Sequence, residues 1–403
     1  MIQIAVMGYG TVGSGVVEVI NTNQASINKK AGEEINVKYV LDLRDFPGDP
    51  IQSKVIHDFE VIINDPEVKI VVEVMGGLKP AYMFTKRCLE AGKSVCTSNK
   101  ELVAKHGAEL LEIARKNNIN YLFEASVGGG IPIIRPLNSS LTADEIEEIT
   151  GILNGTTNYM LTKMTFEGMD FDTVLKDAQQ KGYAELHPEA DVEGYDACRK
   201  IAILTSLASG QQVDFEDIYT EGITKVTAED IKYAQKMGCS IKLLASSKKV
   251  DGKFYAMVSP RLIDYAHPLN SVNGVFNAIF VRGNVLGDAM FYGSGAGKLP
   301  TASAVVADVV DAARHLNSNI MTFWSSEKLE LGNIGGAMSR FFVRAKGSAA
   351  DAKEMEALFG AVQIVDAGVD GEYGFVTEAL SEEDFAAKAA KTDAILNRIR
   401  MEN

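Results

Sequence analysis

Apolar runs of strand length alternate with helical patterns through the first part of the chain. The strand-like runs lie at 2–7 (IQIAVM), 36–43, 69–77, 93–97 and 120–125. The helical patterns lie directly after residue 10 and at 81–91 and 102–116. Strands that lack a polar face are buried on both sides, so this alternation predicts an α/β domain built on a doubly wound parallel sheet.

The pattern changes after residue 131. Residues 132–295 mix helices with strand-like stretches such as 145–155 (EIEEITGILNG) and show no repeat, which is typical of an α+β domain. An alanine- and valine-rich helix follows at 302–316; we expect Thr301 to cap it and the helix to pack back on the first domain. Three parts are therefore predicted, namely 1–131 together with about 296–335, then 132–295, and last 338–403.

Residues 338–403 carry their own order of elements. The pattern reads strand, helix, strand, strand, helix, strand, with a turn at 369–372 between the second and third strands. Such a βαββαβ unit is small, and it folds if it packs on a partner or dimerises.

A glycine motif stands between the first strand and the first helix. Residues 8–13 read Gly-Tyr-Gly-Thr-Val-Gly. In this context Gly8 permits a tight turn, Gly10 lets a pyrophosphate approach the backbone, and Gly13 allows the helix to pack closely on the strand. The motif predicts a Rossmann-like domain that binds a dinucleotide.

Two residues after the second strand bear on the choice of dinucleotide. Asp42 would accept the ribose 2′-hydroxyl of NAD, whereas Arg44 would suit the 2′-phosphate of NADP. Asp42 also lies farther from the glycines than the usual spacing of about 20 residues. The sequence therefore leaves both NAD and NADP open.

A dense group of charges occupies residues 182–200 (GYAELHPEADVEGYDACRK), directly before an apolar run. At about 100° per residue, Asp196 and Lys200 fall on one helical face, which continues through apolar positions at 203, 204 and 207. An i,i+4 pair on a surface is worth little, but a pair that shares its face with core residues is expected to be buried or to line a cleft. Buried charges indicate a functional site.

Three further stretches are candidates for chemistry. Lys100 follows a predicted strand, where it would either reach the crevice or be a solvated residue at a helix start. Glu124 and the backbone around Gly128–Gly130 could bind a monovalent or hard cation, or the glycines could form a hinge, or both. Residues 151–159 (GILNGTTNY) turn from strand to helix through small polar residues that could face a ligand.

Composition narrows the class of protein. Of the 403 residues 46% are hydrophobic and 23% are charged, which is ordinary for a globular chain of two or three domains. A net charge of −14 argues against nucleic acid as a partner, because that affinity depends on Lys and Arg. No apolar run is long enough for a membrane span, no signal peptide opens the chain, and the four cysteines show no CxxC spacing. We expect a cytoplasmic protein with a small-molecule substrate.

With these stretches in view, the chain resembles the homoserine dehydrogenase family nearly end to end. The match is carried by five motifs that occur in the family's order: 8–13, 97–100, GILNGTTNY at 151–159, GYAE with DVEGYD and Lys200 at 182–200, and GAG with PTASAVV at 295–306. The resemblance implies reduction of L-aspartate 4-semialdehyde to L-homoserine with NADH or NADPH, a step towards threonine and methionine. It also implies a homodimer or higher homo-oligomer.

The resemblance assigns roles to individual residues. Lys100 and Lys200 match the two lysines proposed for acid–base catalysis, and Asp196 would hold a water or the substrate hydroxyl beside Lys200. The substrate-binding positions would be Glu185, Asp191, Tyr183, Gly182, Gly155 and Thr156. Besides the glycines, Asp42, Arg44 and Lys100, the cofactor contacts would be Tyr9, Thr11, Val12 and Gly297. The ligands of a sodium or potassium ion would be Glu124 and the main chain of Val127, Gly129 and Ile131.

The expected architecture is then a Rossmann-like doubly wound sheet, an α+β substrate and dimerisation domain, and a small C-terminal βαββαβ domain that resembles an ACT domain. This last domain lacks the D-x-P-G-V-L-A type of turn with which many ACT domains bind amino acids, so a packing role is as plausible as an effector site. Two alternatives stay open for the whole protein. One is an oxidoreductase for another small carbonyl compound, and the other is a non-catalytic regulator that binds a dinucleotide and an amino acid.

Overall fold

A six-stranded parallel sheet forms the first domain of the computed structural model, which describes residues 1–320 and 324–402. The strand order is β3-β2-β1-β4-β5-β6. Its strands are β1 (Ile2–Met7), β2 (Ile35–Leu41), β3 (Val55–Ile56), β4 (Val68–Glu73), β5 (Ser94–Thr97) and β6 (Tyr121–Leu122). Its helices are α1 (Thr11–Thr22), α2 (Gln24–Ala31), α3 (Glu60–Asn64), α4 (Ala81–Glu90) and α5 (Lys100–Lys116).

Alternate residues of the central strand face two different layers. Ile4 and Val6 of β1 pack in the core that includes α1, whereas Ala5 and Met7 pack in the core that includes α4 and α5. All pairings in this sheet are parallel. The predicted doubly wound parallel sheet is confirmed.

The last strand of this sheet is much shorter than predicted. We expected a strand over 120–125, but β6 covers only Tyr121–Leu122, and a 3-10 turn occupies Glu124–Ser126. The chain turns here because the carboxylate of Glu124 accepts hydrogen bonds from three successive amides at 133–135. These hydrogen bonds hold the chain in a turn where the apolar pattern alone predicted that the strand would continue.

The second domain is built on a long sheet in which most neighbouring strands are antiparallel. Its strands are β7 (Ile146–Ile152), β8 (Gln211–Gln212), β9 (Tyr219–Thr220), β10 (Cys239–Val250), β11 (Lys253–Asp264), β12 (Phe276–Gly283) and β13 (Gly287–Ser294). Its helices are α6 (Gly155–Glu167), α7 (Phe171–Gln180), α8 (Glu189–Val192), α9 (Tyr195–Ser209) and α10 (Ala228–Lys236). Because α5 packs against α9, the first and second domains meet beside the predicted charged stretch.

The next helix, α11 (Lys298–Arg314), returns to the first domain as expected. It packs so closely on α1 that a Cβ at Gly15 would lie 3.0 Å from Ala302. The prediction of a Thr301 cap is wrong, because the helix already begins at Lys298 with Gly297 at the N-cap position. A short strand, β14 (Ser325–Lys328), then pairs with β8.

The C-terminal elements follow the predicted order and extend the second sheet. They are β15 (Met338–Ser339), β16 (Phe341–Lys346), α12 (Ala352–Phe359), β17 (Val362–Val365), β18 (Glu372–Thr377), β19 (Leu380–Ser381), α13 (Glu382–Ala389) and β20 (Ile395–Met401). The final strand β20 lies between β11, to which it is parallel, and β16, to which it is antiparallel. One sheet of order β13-β12-β7-β10-β11-β20-β16-β18-β17 therefore runs through both parts, which the sequence pattern did not predict.

Candidate active site

A buried carboxylate lies between two lysines where α5 meets α9. Asp196 is one turn before Lys200 on α9, and its Oδ2 accepts a hydrogen bond of 2.7 Å from the Lys200 ammonium. The Lys100 ammonium, at the first residue of α5, lies 2.7 Å from Asp196 Oδ1. The ammonium of Lys200 also donates to the carbonyl oxygen of Leu153, at 2.7 Å. Lys100 and Lys200, which were singled out from separate stretches of the sequence, therefore meet around one carboxylate.

The two lysines experience different environments. The Lys200 side chain is 10% exposed, whereas that of Lys100 is 41% exposed. Burial lowers the pKa of Lys200, and the neighbouring Lys100 lowers it further against the pull of Asp196. Partial burial also opposes the charge of Lys100, but Asp196 outweighs it and raises the pKa of Lys100. The pKa values of these two chemically identical groups therefore differ, and Lys200 is the one that releases its proton more easily.

Asp196 stays ionised in this cluster. Burial alone would raise the pKa of its carboxyl group, but Lys200 and Lys100 together hold that pKa well below its usual range. The buried charge is therefore compensated by two cations, the condition under which buried carboxylates are tolerated.

Asn154 connects this cluster to a second carboxylate and was not singled out from the sequence. Its side-chain nitrogen donates to Asp196 Oδ2 at 3.0 Å and to Asp191 Oδ1 at 2.7 Å. Its side-chain oxygen accepts from the amide of Thr157 and so caps α6. An asparagine between an apolar strand and a helical stretch is a capping signal, which could have drawn attention to this position.

Asp191 lies on the short helix α8 and is half-buried. Burial raises the pKa of its carboxyl group. Among the residues that the structure describes, no cation forms an ion pair with it, and Asn154 donates its one side-chain hydrogen bond. A carboxylate with no cationic partner at the edge of a lysine cluster is well suited to bind an incoming ammonium group.

The other predicted substrate positions lie on α6 and the loop after α7. Thr156 Oγ1 donates to the backbone oxygen of Tyr183 at 2.6 Å, which ties this loop to α6. Gly155 is in close contact with the chain, because a Cβ there would lie 2.9 Å from the carbonyl oxygen of Val275. Gly182 and Glu185 are exposed, and the Glu185 carboxylate makes no hydrogen bond to any described residue. Glu185 is thus not brought into the lysine cluster.

A second buried carboxylate, Glu73, fixes the start of α5 and was also missed. Burial raises the pKa of this fully buried group at the end of β4. Its Oε2 accepts from Thr97 Oγ1 at 2.7 Å, and Thr97 Oγ1 in turn accepts from the amide of Asn99. Asn99 caps α5 through the amide of Leu102, directly before Lys100. A carboxylate at the carboxyl end of an apolar parallel strand could have been recognised as a candidate.

The glycine loop at the start of α1 has the shape that a dinucleotide requires. Gly8 has a φ of +96°, in the region that favours glycine. A Cβ at Gly13 would lie 1.9 Å from the carbonyl oxygen of Gly8, so only glycine fits there. Gly10 is exposed with free space around it and is the N-cap of α1 without a capping side chain. The first turn of α1 therefore offers its amides to an anion.

The end of β2 reaches back to this loop. Asp42 follows directly after β2, and its Oδ2 accepts from the amide of Tyr9 at 2.7 Å, which resolves the register that the sequence left uncertain. Arg44 binds the same carboxylate through its backbone amide, Nε and Nη2, at 3.0 to 3.1 Å. The pair with Arg44 holds the pKa of Asp42 well below its usual range. Thr11 is exposed, Val12 is half-buried, and Gly297 lies at the first turn of α11.

The predicted cation site has free backbone oxygens but no free carboxylate. Glu124 accepts hydrogen bonds from the amides of 133, 134 and 135, at 2.5, 2.9 and 2.7 Å. The backbone oxygens of Val127, Gly129 and Ile131 accept no hydrogen bond from the described residues. Within the same part of the chain, no cluster of three histidine, cysteine or carboxylate side chains could hold a metal ion. No helix of the described ranges is both long and apolar enough to cross a membrane.

Comparisons with known proteins agree on one family. Residues 132–310 match the family model "Homoserine dehydrogenase", and residues 8–124 match "Homoserine dehydrogenase, NAD binding domain". The chain is 46% identical over 323 residues to a homoserine dehydrogenase of Synechocystis, with 79% of this chain and 75% of the relative covered. It is 41% identical to that of Bacillus subtilis, with 79% and 74% covered.

Solved structures extend the similarity over the whole chain. A homoserine dehydrogenase from Thiobacillus denitrificans superposes with a TM-score of 0.91 at 35% identity and covers 100% of this chain and 98% of that one. The structure from S. aureus gives 0.84 at 34% identity, with 100% and 99% covered. A hyperthermophilic archaeal homoserine dehydrogenase in complex with NADPH gives 0.66 at 30% identity, with 77% and 97% covered.

Proposed function

The chain belongs to the homoserine dehydrogenase family, and on this premise we propose how its residues share the work of the reaction. It is an NAD(P)-dependent oxidoreductase that interconverts L-aspartate 4-semialdehyde and L-homoserine in amino-acid biosynthesis. When bound, the nicotinamide cofactor supplies or accepts the hydride at the carbon that changes oxidation state. The protein must supply a proton donor for the oxygen and anchors for the amino acid's charged groups.

Lys200 transfers the proton to and from the substrate oxygen. The observation that carries this assignment is the shared carboxylate of Asp196, which two lysines approach to 2.7 Å from different helices. A general acid–base group works best when its pKa lies near the working pH, and Lys200 is the lysine whose pKa is lowered. Lys100 remains an ammonium that stabilises negative charge on the oxygen and lies beside the cofactor crevice. Asp196 holds both lysines and the hydroxyl of homoserine.

Asp191 binds the ammonium group of the substrate, because its half-buried carboxylate otherwise lacks a cation among the described residues. Tyr183, Gly182, Gly155 and Thr156 form the wall of the pocket, which the hydrogen bond from Thr156 to the backbone of Tyr183 joins together. Glu185, on the same loop as Tyr183, is the remaining proposed contact of the amino acid, and its carboxylate is exposed.

The residues at the start of α1 suit a dinucleotide, and those after β2 suit NADP. Gly8, Gly10, Gly13 and the intervening Tyr9, Thr11 and Val12 would hold the pyrophosphate, with Lys100 and Gly297 near the nicotinamide end. Arg44 has a 61% exposed side chain, and it engages the Asp42 carboxylate that would otherwise repel a 2′-phosphate. We therefore expect NADP(H) to be accepted, with NAD(H) also able to bind through Asp42.

A sodium or potassium ion binds between the first and second domains through backbone oxygens. Those of Val127, Gly129 and Ile131 are available, and hard oxygen ligands suit such a cation. The carboxylate of Glu124 acts indirectly, because its three amide contacts hold the turn that presents these oxygens.

The assembly and the division of the chain are also part of the proposal. Residues 1–131 with about 296–335 bind the cofactor, 132–295 bind the substrate and mediate self-association, and 338–403 form an ACT-like domain. Among the described residues, one edge of the outer strand β13 pairs with no other strand. This strand exposes Met290 and Tyr292 beside Phe276, which favours contact with a second copy of the chain. We place this homo-oligomer in the cytoplasm.

Replacing each lysine tests the assigned roles. Lys200→Met and Lys100→Met should each lower kcat for semialdehyde reduction by about 10²- to 10⁴-fold, the usual contribution of a general acid–base group. Circular dichroism and size-exclusion chromatography would verify that both variants remain folded. Near-normal turnover in either variant would contradict the role given to that lysine.

A further inference from the structure

Strands β9 and β20 lie end to end along the same edge of β11. Tyr219 and Thr220 of β9 pair with Met257 and Val258, and Arg400 of β20 pairs with Arg261 a few residues farther along. The last strand of the C-terminal part therefore meets the segment formed by β9 and the residues that directly follow it. This segment, residues 219–223, is called the support segment below.

The support segment carries α8 and the first turn of α9. The amide of Ile223 donates to the carbonyl oxygen of Val192 at 2.8 Å, one residue after Asp191. At Gly222 the two backbones touch, because a Cβ there would lie 2.1 Å from the Val192 oxygen. Gly194, the N-cap of α9, lies against Thr220, and a Cβ on it would lie 3.2 Å from the Thr220 methyl group. Asp191 and Asp196 are thus each within two residues of a contact with this segment.

The support segment is in turn held by the C-terminal strand, chiefly through the carboxylate of Glu221 and also through a hydrogen bond of 3.4 Å from Arg398 to the Tyr219 hydroxyl. Glu221 accepts hydrogen bonds from Arg400 at 2.8 Å and from Arg398 at 3.1 Å. Tyr219 donates to the same carboxylate at 3.1 Å, and the Arg400 guanidinium lies 5.1 Å from the centre of the Tyr219 ring. Burial would raise the pKa of Glu221, but Arg398 and Arg400 outweigh it and lower that pKa, so the group stays ionised.

We propose that Glu221 is a positioning residue through which the C-terminal strand β20 holds Asp191 and Asp196 in their places. Its carboxylate fixes the support segment to Arg398 and Arg400, and the support segment fixes the backbone of α8 and the start of α9. Packed elements of this kind carry energetic coupling between distant sites. The inference rests on the proposed roles of Asp191 and Asp196, and it extends them to the C-terminal domain.

A matched pair of variants separates positioning from general stability. Arg400 has two carboxylate partners: Glu221 on the support segment and Glu382 on α13, which binds it at 2.5 and 2.9 Å. Glu221→Gln and Glu382→Gln each replace one of the two carboxylates beside the buried Arg400 by a neutral amide. The side chains of Glu221 and Glu382 are 22% and 13% exposed. Among the described residues, the Glu382 side chain forms no hydrogen bond or ion pair with residues 219–223, so only Glu221→Gln should disturb Asp191 and Asp196.

Steady-state kinetics with homoserine tests the proposal. Glu221→Gln should raise KM for homoserine by about 3- to 30-fold, the range of coupling energies found along such routes, while KM for the cofactor stays unchanged. Glu382→Gln should lower the melting temperature comparably but leave KM for homoserine unchanged. An unchanged KM in Glu221→Gln, or an equal rise in Glu382→Gln, would overturn the proposal.

Two further measurements keep the test decisive. Hydrogen exchange of residues 189–196 should become faster in Glu221→Gln and not in Glu382→Gln; equal exchange in the two variants would also overturn the proposal. Should Glu221→Gln fold poorly, Arg398→Met removes one partner of Glu221 at a half-exposed site, and it should give a smaller rise of the same KM. Asp191→Asn, measured in parallel, separates the proposed substrate role of Asp191 from the coupling through Glu221. If KM for homoserine is unchanged in Asp191→Asn but raised in Glu221→Gln, the role of Asp191 is contradicted and the coupling is not.

Discussion

At the scale of single residues, the site depends on how Asp196 divides its carboxylate between two lysines. Each oxygen binds one ammonium group, at 2.7 Å. The cluster therefore carries one net positive charge in a place where Lys200 is nearly enclosed. Burial and repulsion by Lys100 act together to lower the pKa of Lys200, which is why Lys200 is the proposed proton carrier. Burial opposes the charge of the more exposed Lys100, but Asp196 outweighs it and raises the pKa of Lys100, in keeping with its proposed role as a lasting ammonium.

Asn154 offers a prediction that separates two functions of one side chain. Asn154→Ala removes both the cap of α6 and the hydrogen bonds to Asp191 and Asp196, so it should cost about 1 kcal/mol in stability and also lower kcat/KM. Asn154→Ser retains a good capping residue but cannot donate to both carboxylates. Urea unfolding should show most of the stability restored in Asn154→Ser, while kcat/KM for homoserine stays about tenfold below the wild type. Recovery of activity together with stability would mean that capping alone matters.

Arg44 offers a prediction about cofactor choice. Because its guanidinium neutralises Asp42 and is largely exposed, it is the group available to a 2′-phosphate. Arg44→Ala should raise KM for NADPH by at least tenfold and leave KM for NADH nearly unchanged, since one lost charge-assisted contact costs about 1.5–3 kcal/mol. Kinetics with both cofactors side by side provides the measurement. An equal loss for both cofactors would assign Arg44 to the structure of the loop.

At the scale of elements, helical and strand periodicity predicted features that lie within one element or at the turn between two successive elements. The spacing of Asp196 and Lys200 relative to Leu204 placed both charges on the buried face of α9, where they are found. The GxGxxG motif likewise located the turn between β1 and α1. The approach of Lys100 to Asp196 was not predictable from spacing, because it depends on α5 packing against α9, elements that are far apart in the sequence. The same holds for Asn154 and Asp191, which are 37 residues apart.

Lys242 joins three elements of the second domain and gives its stability a predictable dependence on pH. Its buried ammonium on β10 donates to the carbonyl oxygen of Val272 at 2.6 Å. It also donates to the side chain of Asn273, in the loop before β12, and to that of Asn158, on α6. No carboxylate among the described residues pairs with it. Burial lowers its pKa to about 8, below the value of about 10.4 expected in the unfolded chain.

The sign of the effect follows from proton binding. Between about pH 8 and 10.4 the unfolded chain binds more protons at this lysine than the folded protein, so the free energy of unfolding should rise with pH in this window. Lys242→Met should lack that rise, whereas Lys253→Met, at an exposed position on the neighbouring strand, should retain it. Urea unfolding of the three proteins at pH 8 and pH 10 measures the difference. Parallel pH dependence in wild type and Lys242→Met would contradict this account.

At the scale of the whole molecule, the site is assembled from domains that the sequence predicts separately. The first domain provides Lys100, the second provides Asp196, Lys200 and Asp191, and the C-terminal part completes the sheet that supports them. The sequence predicted a βαββαβ unit after residue 338, but no local pattern indicated that β20 would pair with β11. Edge pairing depends on hydrogen-bonding groups that every strand possesses, so side-chain periodicity holds no signal for it.

In this arrangement burial lowers the pKa of Lys200 in the second domain, and the charge of Lys100, from the first domain, lowers it further. In the proposed mechanism, oxidation of homoserine requires the neutral amine of Lys200 to accept the proton, so kcat/KM should rise with pH through the Lys200 pKa. Removing Lys100 takes away a repelling charge and leaves Asp196 to Lys200 alone, which should raise that pKa.

The most direct test is the pH dependence of kcat/KM for homoserine in the wild type and in Lys100→Met, at a fixed, saturating cofactor concentration. The ionisation of homoserine itself is common to both proteins, so the difference between the two curves reports on the enzyme. The rise of kcat/KM should move to higher pH in Lys100→Met. A rise at the same or at lower pH would contradict this expectation.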